Sequence, residues 1–226
     1  MAAAAASDLR ARFDAAPMAR AQIAAVAVTI ALSALDGYDV LSVTFAAPAI
    51  AIDWGIGKAA LGVLLSAGLA GMALGSLGLA PFADMVGRRR MVLASLVLMA
   101  AGMLLSAFAH SLPQLVAWRV LTGLGIGAMV AVINPLAAEF ANARRRSLAL
   151  ALMAMGYPLG GLVGGLAAAL FLRLYGWPAV FLAGAVAAGL LLLVVLRFLP
   201  EPLAFLLARP RQDGLARVNA LLARCG

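Results

Sequence analysis

The polar and apolar positions alternate on the scale of whole segments rather than single residues. Six long runs are almost free of charge: residues 21–52, 59–83, 91–109, 114–138, 147–172 and 177–196. The first is interrupted only by Asp36 and Asp39, and the fourth carries Arg119. Each run is long enough to cross a hydrocarbon core of roughly 30 Å as a helix, at about 20 residues per crossing. Transmembrane strands would show about ten residues of strict alternation, which these runs lack. The pattern therefore predicts an all-α membrane protein with six spans. The third run is expected to end at the break formed by His110, Ser111, Leu112 and Pro113.

Arginines punctuate the joints. Arg10, Arg12 and Arg20 precede the first run, and Arg88, Arg89 and Arg90 lie between the second and third. Arg144, Arg145 and Arg146 lie between the fourth and fifth, and Arg197, Arg209, Arg211, Arg217 and Arg224 follow the sixth. The opposite side holds only Lys58 and Arg173. The positive-inside rule then places both termini in the cytoplasm, in agreement with an even number of spans. The composition fits: 65% of the 226 residues are hydrophobic and 12% charged, too few polar side chains to coat a soluble domain. The net charge of +8 is a topology signal, because the basic residues are split among short loops and form no single nucleic-acid-binding face. The first 20 residues lack an apolar h-region, so no cleavable signal peptide is expected. Cys225 is the only cysteine and His110 the only histidine, which leaves no cysteine cluster for a metal and reads His110 as a solvated turn residue. No nucleophile–base set or cofactor loop supports an enzyme.

The charges inside the spans need a reason, because each costs about 2.5–3.5 kcal/mol at the bilayer centre. Asp36 and Asp39 are three residues apart and share a helix face, with Gly37 and Tyr38 between them. Tyr38 offers an amphipathic ring that could stack on an aromatic solute. Counted from the outer helix ends, Arg119 lies roughly 9 Å deep and Asp39 roughly 16–20 Å deep, so Arg119 has the reach to approach one aspartate. Two readings stand: a charge pair that only holds helices together, and a water-accessible substrate and proton site. The second is the expectation, since intramembrane ionisable groups usually face cavities or relays.

Glycines mark the second and fifth runs. Gly68, Gly71, Gly75 and Gly78 recur at spacings of three and four, as do Gly156, Gly160, Gly161, Gly164 and Gly165. Each set makes a flat face for close helix approach. Static packing is the expectation for both, with a sliding interface in a moving transporter as the alternative, and both faces are read as awaiting partners from outside the chain. Pro158, beside Gly156, Gly160 and Gly161, and Pro135, after Asn134, each remove a helix hydrogen bond and favour a kink.

These residues resemble a known family. Residues 80–89 are similar to the loop signature G-x-L-A-D-R-x-G-R-R of the major facilitator superfamily. Asp84, Gly87, Arg88 and Arg89 match it, while Ala80, Phe82 and Met85 depart from it. Arg119, Gly123, Gly125 and Gly127 resemble the R-x-x-x-G-x-G-x-G of its fourth helix. Glu139, Phe140, Arg144 and Arg146 resemble the signature that follows, with Asn142 in place of proline. Residues 199–202 resemble the L-P-E-S after the sixth helix. Asp36, Gly37, Tyr38 and Asp39, with Ala47 to Ile50, Trp54 and the Gly156–Tyr157–Pro158 triplet, look most like the aromatic acid:proton symporters.

The resemblance implies one half of the family's fold, two inverted three-helix repeats, with the first and fourth helices lining a cavity. It implies a cytoplasmic gate in which Asp84, Arg88 and Arg89, at the Gly87 turn, meet Glu139 and Arg144 or Arg146. It implies proton-coupled uptake of a small aromatic carboxylate with no cofactor beyond the proton gradient, through Asp36, Asp39, Tyr38 and Arg119. The chain is thus expected to comprise a cytoplasmic tail (1–20), a six-helix bundle (21–199) and the start of a cytoplasmic linker with an amphipathic helix (200–226). The setting is a bacterial inner membrane. The partners are the lipid bilayer, the solute and proton, and a missing carboxy-terminal half or second chain, with truncation the favoured explanation. The alternatives are a module that inserts without transporting, and a porter for sugars or other organic anions.

Overall fold

The computed structural model describes residues 17–200, without the side chains of Ala80 and Asp84. It contains six long helices: α1 (Arg20–Trp54), α2 (Lys58–Gly78), α3 (Arg88–Ala107), α4 (Leu112–Phe140), α5 (Arg146–Tyr175) and α6 (Trp177–Phe198). All six are long and apolar enough to cross a membrane, and the chain is a multi-pass membrane protein. Helices satisfy every internal backbone group, which a hydrocarbon solvent demands. Three joints fall at Gly55, Gly87 and Gly176, with φ of 62°, 110° and 80°, a region that side chains with a Cβ rarely enter. The first 16 residues and residues 201–226, including the expected linker helix, Cys225 and the second half of the 199–202 signature, lie outside the described residues.

Two boundaries differ from the sequence reading. The second span ends at Gly78 rather than near residue 83; a 3₁₀ turn (Ala80–Phe82) and one helical turn (Ala83–Val86) follow. Pro81 explains the break, since a proline disfavours α conformation in the residue before it and supplies no N–H. Pro113 opens α4 instead of ending α3, standing in the first turn, where a missing N–H costs nothing. Gln114 completes that end by accepting the His110 N–H on Oε1 at 3.0 Å. Pro48, Pro135 and Pro158 all lie within continuous helices.

The glycine faces are occupied from within the chain, which corrects the expectation of outside partners. A Cβ at Gly71 or Gly75 would collide with the α4 backbone at Val120 or Leu124. A Cβ at Gly160 would meet the α1 backbone at Ala34, one at Gly161 the side chain of Leu41, and one at Gly164 the ring of Tyr38. Small residues allow two backbones to touch, and both helix pairs use this. The pairs also repeat one another. Gly71 meets Val120 as Gly160 meets Ala34, and Gly75 meets Leu124 as Gly164 meets Tyr38. Gly123 meets Gly68 as Gly37 meets Tyr157, and Met72 meets Gly127 as Gly161 meets Leu41. A single register thus superposes α1 on α4 and α2 on α5, the mark of two inverted three-helix repeats. Of the six helices, α2 and α5 leave the largest share of their surface uncovered.

Two apolar clusters fill the bundle. The one nearer the arginine-rich end centres on Leu32, Leu96, Met99, Ile126, Met129 and Leu136. The other, at the opposite end, centres on Ile50, Leu64, Met103, Leu115, Trp177 and Phe181. Along α1 the seam between them falls between Leu35 and Val43, and along α4 between Leu115 and Ile126. Asp36, Asp39 and Arg119 lie in that seam.

Candidate functional site

Arg119 is the largest fully buried side chain among the described residues. Its Nη1 donates to Asp39 Oδ1 at 3.0 Å, and its Nη2 donates to the Asp39 carbonyl at 3.0 Å. Both partners of this ion pair are 1% exposed. Nη1 also points to the Met103 thioether at 3.4 Å, and the guanidinium carbon stands 5.8 Å from the centre of the Phe181 ring. The Nε–H, on the same edge as Nη2, has no protein partner. A guanidinium edge of this kind fits the two oxygens of a carboxylate. Ser42 lies one turn along α1 and donates its hydroxyl back to the Asp39 carbonyl at 2.6 Å, so that carbonyl accepts from two side chains.

Asp36 is equally buried, at 1% exposure, but neither of its carboxylate oxygens has a protein partner. Its helix presses against α5 at Gly37, where a Cβ would collide with the Tyr157 carbonyl. Ionised carboxylates in such surroundings are costly unless paired, whereas a neutral carboxylic acid is tolerated far better.

The structure therefore brings Asp39 and Arg119 together, as the depth estimate anticipated, and turns all three charges inward. The water-accessible chamber expected around them is not what the structure shows, because α1, α4 and α5 close on glycine contacts and leave the charges almost wholly covered. Tyr38 is held by the neighbouring helices. Its ring is wedged between Gly164 of α5 and Gly184 of α6, and its hydroxyl donates to the Val180 carbonyl at 2.5 Å. In that slot the ring packs as a wedge between α5 and α6.

At the arginine-rich end, Arg88 forms an ion pair with Glu139, joining α3 to α4. Arg89 turns the other way and donates to the Leu196 carbonyl of α6 at 2.9 Å. Arg144 is exposed, Arg146 partly buried, and the Asp84 side chain lies outside those described. Gly87 supplies the φ of 110° that turns the chain into α3. Gly156, Gly160 and Gly161 face α1, and Pro158 lies among them. Sequence reasoning missed the Gln22 side-chain amide, which donates to the Phe140 carbonyl at 3.1 Å and fastens α1 to the end of α4. It also missed the opposite end, where Trp177 Nε1 donates to Asp53 Oδ2 at 3.0 Å and Trp54 meets Trp177 edge-on at 5.3 Å. A tryptophan beside a carboxylate, each next to a turn glycine, was the available signal for the second; nothing singled out Gln22.

Comparison with known proteins follows the same lines. The 4-hydroxybenzoate transporter PcaK of Pseudomonas aeruginosa is 38% identical over 216 residues, which is 96% of this chain and 48% of that protein. A gallate transporter of Pseudomonas putida is 34% identical, covering 97% of this chain and 48% of its own length. A benzoate transport protein of Acinetobacter baylyi is 28% identical over 79% of this chain and 39% of its own. The chain spans about half the length of the curated relatives it matches. Among solved structures, the xylose transporter XylE from Escherichia coli superposes with a TM-score of 0.79 at 18% identity, over 90% of this chain and 56% of that one. At that identity the likeness speaks for the fold alone. The family model described as Major Facilitator Superfamily matches residues 27–218. With its six spans, its repeated helix pairs and this match, the chain belongs to the major facilitator superfamily.

Proposed function

We propose that the chain forms the amino-side half of a proton-coupled importer of small aromatic carboxylates. The observation that carries this reading is the unspent Nε–H edge of a fully buried Arg119. An isolated structural ion pair would have no use for it, whereas a carboxylate bound side-on to Nε and Nη2 would complete the guanidinium's hydrogen bonds. The named substrates of the relatives, 4-hydroxybenzoate, gallate and benzoate, are all aromatic acids and support that class. In this reading Asp39 is the resident counter-ion of Arg119 and Asp36 carries the proton. A solute carboxylate bound at Arg119 offsets that cation and adds negative charge one helix turn from Asp36, which holds the proton on Asp36 and ties anion binding to the proton. The proton gradient supplies the driving force without a cofactor.

The remaining parts follow from the same reading. Arg88 and Glu139, with Asp84, Arg144 and Arg146, form a latch on the cytoplasmic side, and the arginine-rich joints support a topology with both termini in the cytoplasm of a bacterial inner membrane. Alternating access rocks two halves about a shared midplane site. The widely uncovered α2 and α5 would face a second six-helix half, in the same polypeptide or another.

The test is uptake of labelled 4-hydroxybenzoate into proteoliposomes with an imposed pH gradient, with the chain alone and with a co-expressed second half from a relative. Uptake that collapses with the gradient and is lost in Asp39→Asn supports the reading. Undiminished uptake by Asp39→Asn contradicts it. A second reading, a module that inserts without moving solute on its own, is favoured by the 1% exposure of all three charged side chains. Stable insertion with neither binding nor uptake in either arrangement would select it.

A further inference from the structure

We propose that α6, with α3, sets the geometry of the Asp39–Arg119 pair from behind, with Phe181 of α6 and Met103 of α3 as positioning residues for the guanidinium. The proposal deepens the reading of Arg119 as the anion anchor and rests on it for its functional meaning. The Phe181 ring is fully buried and lies 5.8 Å from the Arg119 guanidinium carbon. It is braced edge-on by Trp177 at 6.0 Å, which is in turn fixed by Trp54 and by its hydrogen bond to Asp53. Met103 is also fully buried and accepts from Arg119 Nη1 on sulfur at 3.4 Å. Its methyl group fills space left by Gly184, beside the Tyr38 ring. Tyr38 adjoins Asp39 and is anchored to the Val180 carbonyl. One turn of α6, residues 180–184, therefore touches the supports of both members of the pair.

The chemistry of these supports matters. An oxygen acceptor placed beside Arg119 would consume the Nε edge that a ligand needs. An aromatic face and a thioether hold a guanidinium by its plane and by one Nη1 proton, and they leave that edge open. None of Phe181, Met103 or Gly184 belongs to a motif visible in the sequence.

The test uses the whole chain in lipid and requires neither transport nor a bound acid, so failure of the transport reading leaves it intact. In an Asp36→Asn background, a hydrophobic carbodiimide is applied and Asp39 labelling is quantified by mass spectrometry. Paired to Arg119, Asp39 is ionised and resists the reagent; released, it becomes a neutral buried acid and reacts. Loss of a desolvated cation–π contact in Phe181→Leu should raise Asp39 labelling about tenfold. Replacing Phe181 by successively fluorinated phenylalanines keeps the shape while draining the ring face, and labelling should climb with fluorine count. Met103→Leu should give a smaller rise, about twofold, from loss of the sulfur contact. Labelling that stays flat across the fluorinated series would overturn the proposal, even if Phe181→Leu labels strongly, since only packing would then be at work. The fluorinated and Met103 variants keep the question decidable if Phe181→Leu does not fold.

Discussion

Asp36 and Asp39 sit one helical turn apart on α1, are buried to the same extent, and have different surroundings. Asp39 receives a guanidinium N–H on its carboxylate and another on its backbone carbonyl, while Asp36 receives nothing from the protein. Burial alone therefore does not define what an intramembrane acid does; the donors within reach decide it. The pair fixes Arg119 in place, and the unpartnered acid is the one that can gain or lose a proton without breaking a helix contact.

Breaking one side of the pair should have the largest effect. Asp39→Leu strands the buried Arg119 cation, which cannot shed its proton, and should lower unfolding stability by about 3–5 kcal/mol, measured by denaturant titration in detergent; Arg119→Leu should cost less, because the released Asp39 becomes a neutral acid. The double replacement Arg119→Leu with Asp39→Leu should restore most of that loss, because both charges leave together. Equal destabilisation by single and double variants would mean that the pair's partners, rather than its charges, matter. Next comes the contact that holds α1 to α5. Gly160→Val forces the α1 backbone away at Ala34 and should cost about 1–3 kcal/mol. Tyr38→Phe removes one hydrogen bond to Val180 and should cost about 1 kcal/mol while leaving solute affinity unchanged. A large loss of aromatic-acid affinity in that variant would return Tyr38 to a solute-contacting role. The partly exposed Arg88–Glu139 pair should be worth less than about 1 kcal/mol and should weaken further in high salt. Asp36→Asn, which removes no protein contact, should scarcely change stability.

Much of the architecture was legible along the chain. Span number follows from run length, because a hydrocarbon layer sets a minimum crossing that no loop can imitate. Asp39 and Arg119 could be brought near each other by counting residues from the helix ends, since helical rise converts sequence distance into depth. Other features need the third dimension. The glycine stripes announced close approach but not by which helix, and both partners turned out to be inside the chain. Tyr38 looked like a recognition ring because its neighbours are charged, yet its direction is set by the gap between Gly164 and Gly184 on two other helices. Phe181 and Met103 are ordinary apolar residues in apolar runs, and only packing distinguishes them from the lipid-facing ones. The end of α2 could have been placed by weighing Pro81 above the continuing hydropathy.

Infrared spectroscopy of the chain in lipid bilayers bears most directly on the contrast between the two acids. At neutral pH the spectrum should contain the C=O stretch of a buried, protonated carboxylic acid that disappears in Asp36→Asn and survives in Asp39→Asn. Absence of that band in the parent chain, or its loss in Asp39→Asn with survival in Asp36→Asn, would contradict the division of roles on which the account stands.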